Sequence, residues 1–180
     1  VIASVRFQLG AGLERLTLTG TAGSRGDGNA LANLVTGNAG ANILTGAAGD
    51  DTVSGGAGDD SVYGGLGTDR LAGGSGRDAF TFVVRPGAAA GVDTVVDFLA
   101  ADDRFRLDDA AFGGIGTPGM LAAGAFRRGV AAGDAGDRIV YDASTGRIWF
   151  DADGTGAGAA VLFARVDPGS ALSAADFWIV

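Results

Sequence analysis

The sequence predicts an all-β fold: a parallel β-roll of nonapeptide repeats followed by a β-rich capping region with hairpins. Three observations point to it. Between Gly28 and Thr81 a nine-residue unit recurs six times in unbroken phase, as GNALANLVT, GNAGANILT, GAAGDDTVS, GGAGDDSVY, GGLGTDRLA and GGSGRDAFT. The eighth residue of every unit is large and apolar: Val35, Leu44, Val53, Val62, Leu71 and Phe80. Beyond Thr81 that rhythm ends, and short alternating apolar stretches separated by turn residues take over. A fixed short period marks a solenoid, in which each unit buries its apolar face only against its neighbours.

Each unit has two halves. Glycine opens every unit, at Gly28, Gly37, Gly46, Gly55, Gly64 and Gly73. The better copies add glycine at the second and fourth positions: Gly49 in unit three, then Gly56 and Gly58, Gly65 and Gly67, Gly74 and Gly76. Glycine reaches positive φ at little cost, so these six residues suit a tight loop with its carbonyls turned to one side. The last three residues, such as Ser61-Val62-Tyr63, suit a short strand with the middle side chain inward. Two units then make one coil. Odd and even units fall in opposite sheets, so that Val35, Val53 and Leu71 face Leu44, Val62 and Phe80.

A core of one apolar side chain per nine residues is thin. At roughly 1.5–3 kcal/mol per buried side chain it falls short of about 1–2 kcal/mol of backbone entropy per ordered residue. The sixth position is Asn33, Asn42, Asp51, Asp60, Asp69 or Asp78, so stacking also brings like charges together. A hard dication with several oxygen ligands would neutralise that charge and tie the loops. Calcium tolerates the mixed carboxylate and carbonyl geometry that magnesium resists.

These units resemble the repeats-in-toxin (RTX) calcium-binding family, whose consensus is GGxGxDxUx with U large and apolar. The resemblance implies about three to four calcium ions between loops two units apart. Each would be held by sixth-position side chains and by carbonyls of the Gly-rich segments. Carried over by position, the pairs are Asn42 with Asp60, Asp51 with Asp69, and Asp60 with Asp78; Asn33 with Asp51 would be a fourth. On that count Asp60 belongs to two pairs and is expected to matter more than Asp69. Asn brings an oxygen without a charge, so sites using Asn33 or Asn42 are expected to be weak or empty. Units four to six match in full, unit three has Ala47 for the second glycine, and unit one has Leu31 for the fourth.

Composition narrows the chemistry. The chain has 180 residues, 34 of them Gly, and a net charge of −8, its single Glu being Glu14. There is no Cys and no His, which removes Ser-His and Cys-His nucleophiles, Cys/His zinc sites and disulfides. All 13 basic residues are Arg; the lack of Lys excludes a Walker-type phosphate loop. An acidic chain is a poor nucleic-acid partner, and no apolar run approaches the ~20 residues of a membrane span. The chain opens at Val1 without Met or a signal peptide, and reads as the C-terminal fragment of a longer protein.

Around the repeats the pattern loosens. Residues 1–27, with Leu16 and Leu18 inward and Gly20 at a turn, read as degenerate N-terminal coils; residues 28–81 as the calcium-binding roll; residues 82–180 as a β cap. Arg25-Gly26-Asp27 spells a cell-adhesion tripeptide but reads as a repeat turn. Arg85 to Gly91 is a loop. Val92 to Phe98 and Asp102 to Leu107 are similar to the D-x-I-x-D-F and D-x-I-x-L strands after the last repeat of secreted serralysin-type metalloproteases; that resemblance places Asp97 near the final calcium loop. Residues 120–126 suggest a short helix, and Asp137–Asp142 with Arg147–Asp151 a hairpin leading to a further strand over 159–166. Asp151-Ala152-Asp153-Gly154 fails as an EF-hand, since Leu162 stands where the bidentate Glu belongs.

The terminal Asp176-Phe177-Trp178-Ile179-Val180 resembles the uncleaved export signal of RTX proteins that leave Gram-negative bacteria by type I secretion. The expectation is therefore a non-catalytic, secreted, monomeric module that folds on meeting extracellular calcium and has the type I secretion machinery as a partner. An acidic-polysaccharide-binding accessory module and an adhesin or surface-layer end domain are the alternatives.

Overall fold

The computed structural model describes residues 1–87 and 89–180; Ala88, within the loop expected over Arg85–Gly91, lies outside the described residues. The first strands are β1 (Ile2–Ala3), β2 (Phe7–Gln8), β3 (Arg15–Leu18), β4 (Arg25–Asp27) and β5 (Leu34–Thr36). The strongest repeats give β6 (Ile43–Ala48), β7 (Thr52–Ala57), β8 (Ser61–Leu66), β9 (Arg70–Ser75) and β10 (Ala79–Phe82). Then follow β11 (Asp93–Val95), β12 (Arg104–Leu107), β13 (Gly119–Met120), β14 (Phe126–Arg128), β15 (Ile139–Asp142), β16 (Arg147–Phe150), β17 (Val161–Arg165) and β18 (Phe177–Ile179).

Successive strands of the roll alternate between two sheets, as the period requires. One sheet runs β1-β3-β5-β7-β9-β11-β17-β16-β15-β14 and the other β13-β18-β12-β10-β8-β6-β4-β2. Pairing within the roll is parallel, and the eighth-position residues are in register: Val35 with Val53 and Val53 with Leu71 in one sheet, Leu44 with Val62 and Val62 with Phe80 in the other. All six are buried. Strands of the strongest units run on into the next loop, so that Ala47 pairs with Gly65 and Gly56 with Gly74.

Leu16 and Leu18 point inward, and Gly20 turns with φ +89°. Gly26 occupies an inward slot between larger neighbours. A Cβ there would sit 3.0 Å from Leu16 Cδ2 and 3.2 Å from Leu44 Cδ2, so the leucines fill the space a side chain would take. The Arg25-Gly26-Asp27 string is accordingly a strand of the roll. Asp27 is buried and accepts hydrogen bonds from Arg25 Nε, which is not the presentation of an adhesive loop.

Past Thr81 the coil alternation continues with longer loops. β11 adds beside β9, and β12 beside β10. The terminal β18 lies parallel to β12, placing Phe177 against Phe105. β15, β16 and β17 form the two expected antiparallel hairpins, with a register shift at Ile148/Trp149. The helix expected over 120–126 is reduced to one 3-10 turn at Ala123–Ala125 between β13 and β14. Seven residues with Gly124 among them are too few to nucleate an α-helix, and extended pairing to β18 and β15 wins. The interior here is aromatic: Phe98 stacks on Phe105 at 4.7 Å, Phe105 on Phe177 at 5.0 Å, and Phe112 meets Phe150 and Phe163 edge-on.

Candidate metal centre

The sixth-position residues form two buried ladders along the roll. On one side Asn33 N–H donates to Asp51 Oδ1 at 2.7 Å, Asp51 N–H to Asp69 Oδ1 at 2.8 Å, and Asp69 N–H to Asp93 Oδ1 at 3.0 Å. On the other, Asn42 N–H donates to Asp60 Oδ1 at 2.7 Å, Asp60 N–H to Asp78 Oδ1 at 2.9 Å, and Asp78 N–H to Asp103 Oδ1 at 3.0 Å. One oxygen of each carboxylate is thus spoken for by the neighbouring coil.

In the four repeat carboxylates the other oxygen is not, whereas Asp103 Oδ2 accepts from Leu99 N–H at 2.9 Å. Asp51 Oδ2, Asp60 Oδ2, Asp69 Oδ2 and Asp78 Oδ2 are buried without a hydrogen-bond partner. An unpaired buried acceptor costs about 1–3 kcal/mol, and more when charged, so four of them, two in each ladder, mark candidate places for a cation to bind. Each lies over the glycine that opens its own unit: a Cβ on Gly46, Gly55, Gly64 or Gly73 would collide with that oxygen. On Gly46 and Gly55 it would also crowd the carbonyl oxygen of Gly64 or Gly73, one coil further along. Carboxylate and carbonyl oxygens therefore share these gaps. Among the described residues no three acidic side chains converge on one point, so a cation here draws its remaining oxygens from the backbone. That donor set, all oxygen and of mixed charge, suits calcium.

Burial leaves its electrical signature. Desolvation pushes Asp51 and Asp60 up to about 7, Asp69 and Asp103 to about 6 and Asp93 to about 8, and raises Asp78, against an ordinary value of 3.8. The backbone N–H donors oppose the shift without cancelling it. A raised folded-state value means that the metal-free roll prefers protonated carboxyls. Its stability is full below about pH 4 and is lost as pH rises through about 6–8. Calcium takes only the carboxylate, so its contribution has the opposite slope. Thermal melts should show the melting temperature falling from pH 5 to pH 8 in calcium-free buffer and rising over the same interval in millimolar calcium.

The second and fourth positions show why glycine recurs. Gly56, Gly65 and Gly74 have φ of +110°, +115° and +100°, and Gly49, Gly58, Gly67 and Gly76 also lie at positive φ. Ala47 occupies the equivalent second position at φ +93° and is the one non-glycine with positive φ among the described residues. Ala47→Gly should relieve that strain and stabilise the roll by about 1 kcal/mol, read as a rise in melting temperature.

The nine-residue frame finds Asp51, Asp60, Asp69 and Asp78 and misses Asp93 and Asp103. These lie 24 and 25 residues after their ladder partners instead of 18. The legible signal is an Asp two residues before an inward apolar residue: Asp93 before Val95 repeats Asp69 before Leu71, and Asp103 before Phe105 repeats Asp78 before Phe80. Asp97 sits on the last repeat loop, its carboxylate accepting from Gly73 N–H at 3.0 Å and Gly74 N–H at 2.9 Å. The fifth-position carboxylates take a different part. Asp50 and Asp59 face solvent and accept from Thr68 and Arg77 N–H, clamping loops; Asp59 also pairs with the Arg77 guanidinium at 2.9 Å. Asn33 and Asn42 sit in the ladders but leave no orphan oxygen, since their Oδ1 atoms accept from Asn29 and Asn38 N–H.

The family described as the RTX calcium-binding nonapeptide repeat (4 copies) matches at residues 27–62 and 46–80. Residues 27–80 carry RTX calcium-binding nonapeptide repeats. The match covers all four orphan carboxylate oxygens and the ladders up to Asp78; Asp93 and Asp103 lie beyond it. Among solved structures the RTX roll is similar to the AlgE6R3 subunit of the Azotobacter vinelandii mannuronan C5-epimerase, solved in solution. That structure is 27% identical with a TM-score of 0.54, over 94% of this chain and 85% of that one. A comparison with curated proteins gives no match. The RTX repeats bind calcium, and the ladder of buried Asp residues fits that ion.

Proposed function

We propose that the chain is a non-catalytic, calcium-triggered folding module of a secreted protein. The observation that carries the reading is the set of four buried carboxylate oxygens without partners, two in each ladder. They belong to residues that hydrogen-bond across four steps between coils, Asp51/Asp69, Asp60/Asp78, Asp69/Asp93 and Asp78/Asp103, each step with an Asp on both sides. We assign calcium to the gaps at these steps, with the carbonyls of the flanking glycine-rich loops completing the shell and Asp97 ordering the last loop.

At low calcium the ionised ladders repel and the thin core cannot hold the carboxylate coils, which leaves that stretch unfolded for passage through a type I secretion channel. At extracellular calcium, sites with Kd of about 10⁻⁴–10⁻³ M fill. Tenfold excess at each contributes about 1.4 kcal/mol, so four sites add about 6 kcal/mol, comparable with the lower end of whole-domain stability. Folding then seals the terminal β18 beside β12. Far-UV circular dichroism and melting in chelator against millimolar calcium test this: a cooperative gain of β signal is expected, and identical spectra and melts would sink it.

A second reading rests on a separate feature. Outward residues of β12 and β18 form a groove of about 440 Å³ with Arg77, Arg104, Arg106 and Trp178 on its walls; Asp59 and Asp60 also border it. The Arg104 guanidinium lies 5.5 Å from the Trp178 ring centre. An aromatic face beside three guanidinium groups suits an acidic sugar chain, and the similar structure belongs to an enzyme of mannuronan. Gel retardation of the folded protein by polymannuronate, lost in Arg104→Ala/Arg106→Ala, would support this; equal mobility with and without the polymer would remove it. Arg127 and Arg128 do not join this groove. They lie in the other sheet, and Arg128 is bonded to the Leu172 carbonyl.

A further inference from the structure

The two asparagine units differ from the four that follow in backbone as well as in side chain. At their second position stand Asn29 and Asn38, where later units have Ala47, Gly56, Gly65 and Gly74. Those four have positive φ and the asparagines do not. The difference turns the peptide N–H. Asn29 N–H points into its own loop and donates to Asn33 Oδ1 at 2.7 Å; Asn38 N–H does the same to Asn42 Oδ1 at 2.8 Å. In the later units the matching oxygen, Oδ2 of Asp51, Asp60, Asp69 or Asp78, is the orphan.

The side-chain amides of the same residues complete the substitution. Asn29 Nδ2 donates to the carbonyls of Gly10 at 2.8 Å and Leu13 at 2.7 Å in the preceding coil. Asn38 Nδ2 donates to Thr19 at 3.0 Å and Ala22 at 2.9 Å, which occupy the same two places one half-coil later. Asn33 Nδ2 adds Leu13 and Asn29 Oδ1, and Asn42 Nδ2 adds Asn38 Oδ1. An uncharged NH₂ group thus gathers loop carbonyls across the gap, the task a cation performs where carboxylates line it. No buried side-chain nitrogen or oxygen of these four asparagines lacks a partner, and none of the four carries a charge.

We propose that the roll is built in two parts: an N-terminal part, up to Asn42, whose turns are cross-linked by asparagine amides without metal, and a calcium-dependent part that begins at Asp51. The first is a template with one open end, onto which the carboxylate coils wind as calcium arrives. The proposal rests on the calcium reading above and adds where along the roll calcium stops. It also explains the order of the units. Metal-free turns stand at one end of the coils that switch, so the switching segment re-forms from an ordered edge.

Hydrogen–deuterium exchange on the whole chain, in chelator and in millimolar calcium, tests this beside a count of bound calcium. Amides of β3 to β5 should keep their protection in chelator to within about threefold, while those of β7 to β9 should lose at least tenfold. Asn29→Ala/Asn38→Ala should abolish the chelator-resistant protection and leave the number of bound calcium ions unchanged. Protection lost evenly along the roll in chelator, or a drop in bound calcium on removing the two amides, would overturn the proposal. Should the double variant fail to fold, the exchange profile of the unaltered protein decides alone. A chain that binds no calcium, with one exchange profile in both buffers, would instead refute the calcium reading itself.

Discussion

Phe105→Ala should destabilise the calcium-loaded protein by about 3–5 kcal/mol, among the larger effects of a single core truncation. Phe105 is fully buried in β12, between β10 and β18. Its ring stacks on Phe98 at 4.7 Å and Phe177 at 5.0 Å, with Phe82 at 6.0 Å and Phe80 at 6.3 Å. Four aromatic partners lose contact together, and rings of that size leave a cavity that a β-sheet cannot close by small shifts. The damage should reach the metal sites as well, because Asp103, two residues earlier, ends one ladder by accepting from Asp78 N–H. Thermal melting in calcium should show the loss. Trp178→Ala, on the outer face of the neighbouring strand, should cost far less; equal losses would place the centre of stability elsewhere.

Asp69→Asn and Asp78→Asn should each weaken calcium-dependent stability about twice as much as Asp51→Asn or Asp60→Asn. Asp69 and Asp78 each border two of the four carboxylate-lined gaps, whereas Asp51 and Asp60 border one. At tenfold calcium excess per site this is about 3 kcal/mol against about 1.4 kcal/mol. Asparagine keeps the acceptor for the neighbouring N–H, so the change isolates charge at the metal. Asp59→Asn, exposed and outside both ladders, is the control and should move neither calorimetric titration nor melting by more than a few tenths of a kcal/mol. The spacing of the repeats alone ranks Asp60 above Asp69. The ladders reverse that order, because they run on to Asp93 and Asp103 at one end and meet self-satisfied asparagines at the other. A larger loss from Asp60→Asn than from Asp69→Asn would restore the simpler pairing.

The period of nine carried much of the answer. It assigned strands to opposite sheets, and it put Val35, Val53 and Leu71 in one inner row and Leu44, Val62 and Phe80 in the other. It also put the sixth-position side chains in line. A repeat is local chemistry copied at a fixed interval, so one unit correctly read is read six times. The cap was less legible. Its hairpin at Asp142–Arg147 shows in the alternation on either side, but the short helix expected over 120–126 gave way to strand pairing with distant partners.

Composition and spacing settled, with no coordinates, that the chain is β-rich, that calcium-type oxygen ligands line its loops, and that Cys and His chemistry is absent. Chain folding in space was needed to join Asp93 and Asp103 to the ladders, to bring the Phe98, Phe105 and Phe177 rings together, and to divide asparagine turns from carboxylate turns. The reason is physical. Those features depend on which N–H meets which oxygen across coils, and on the sign of φ at single positions such as Asn38 and Ala47. A linear spacing constrains neither once the interval between ladder partners departs from 18.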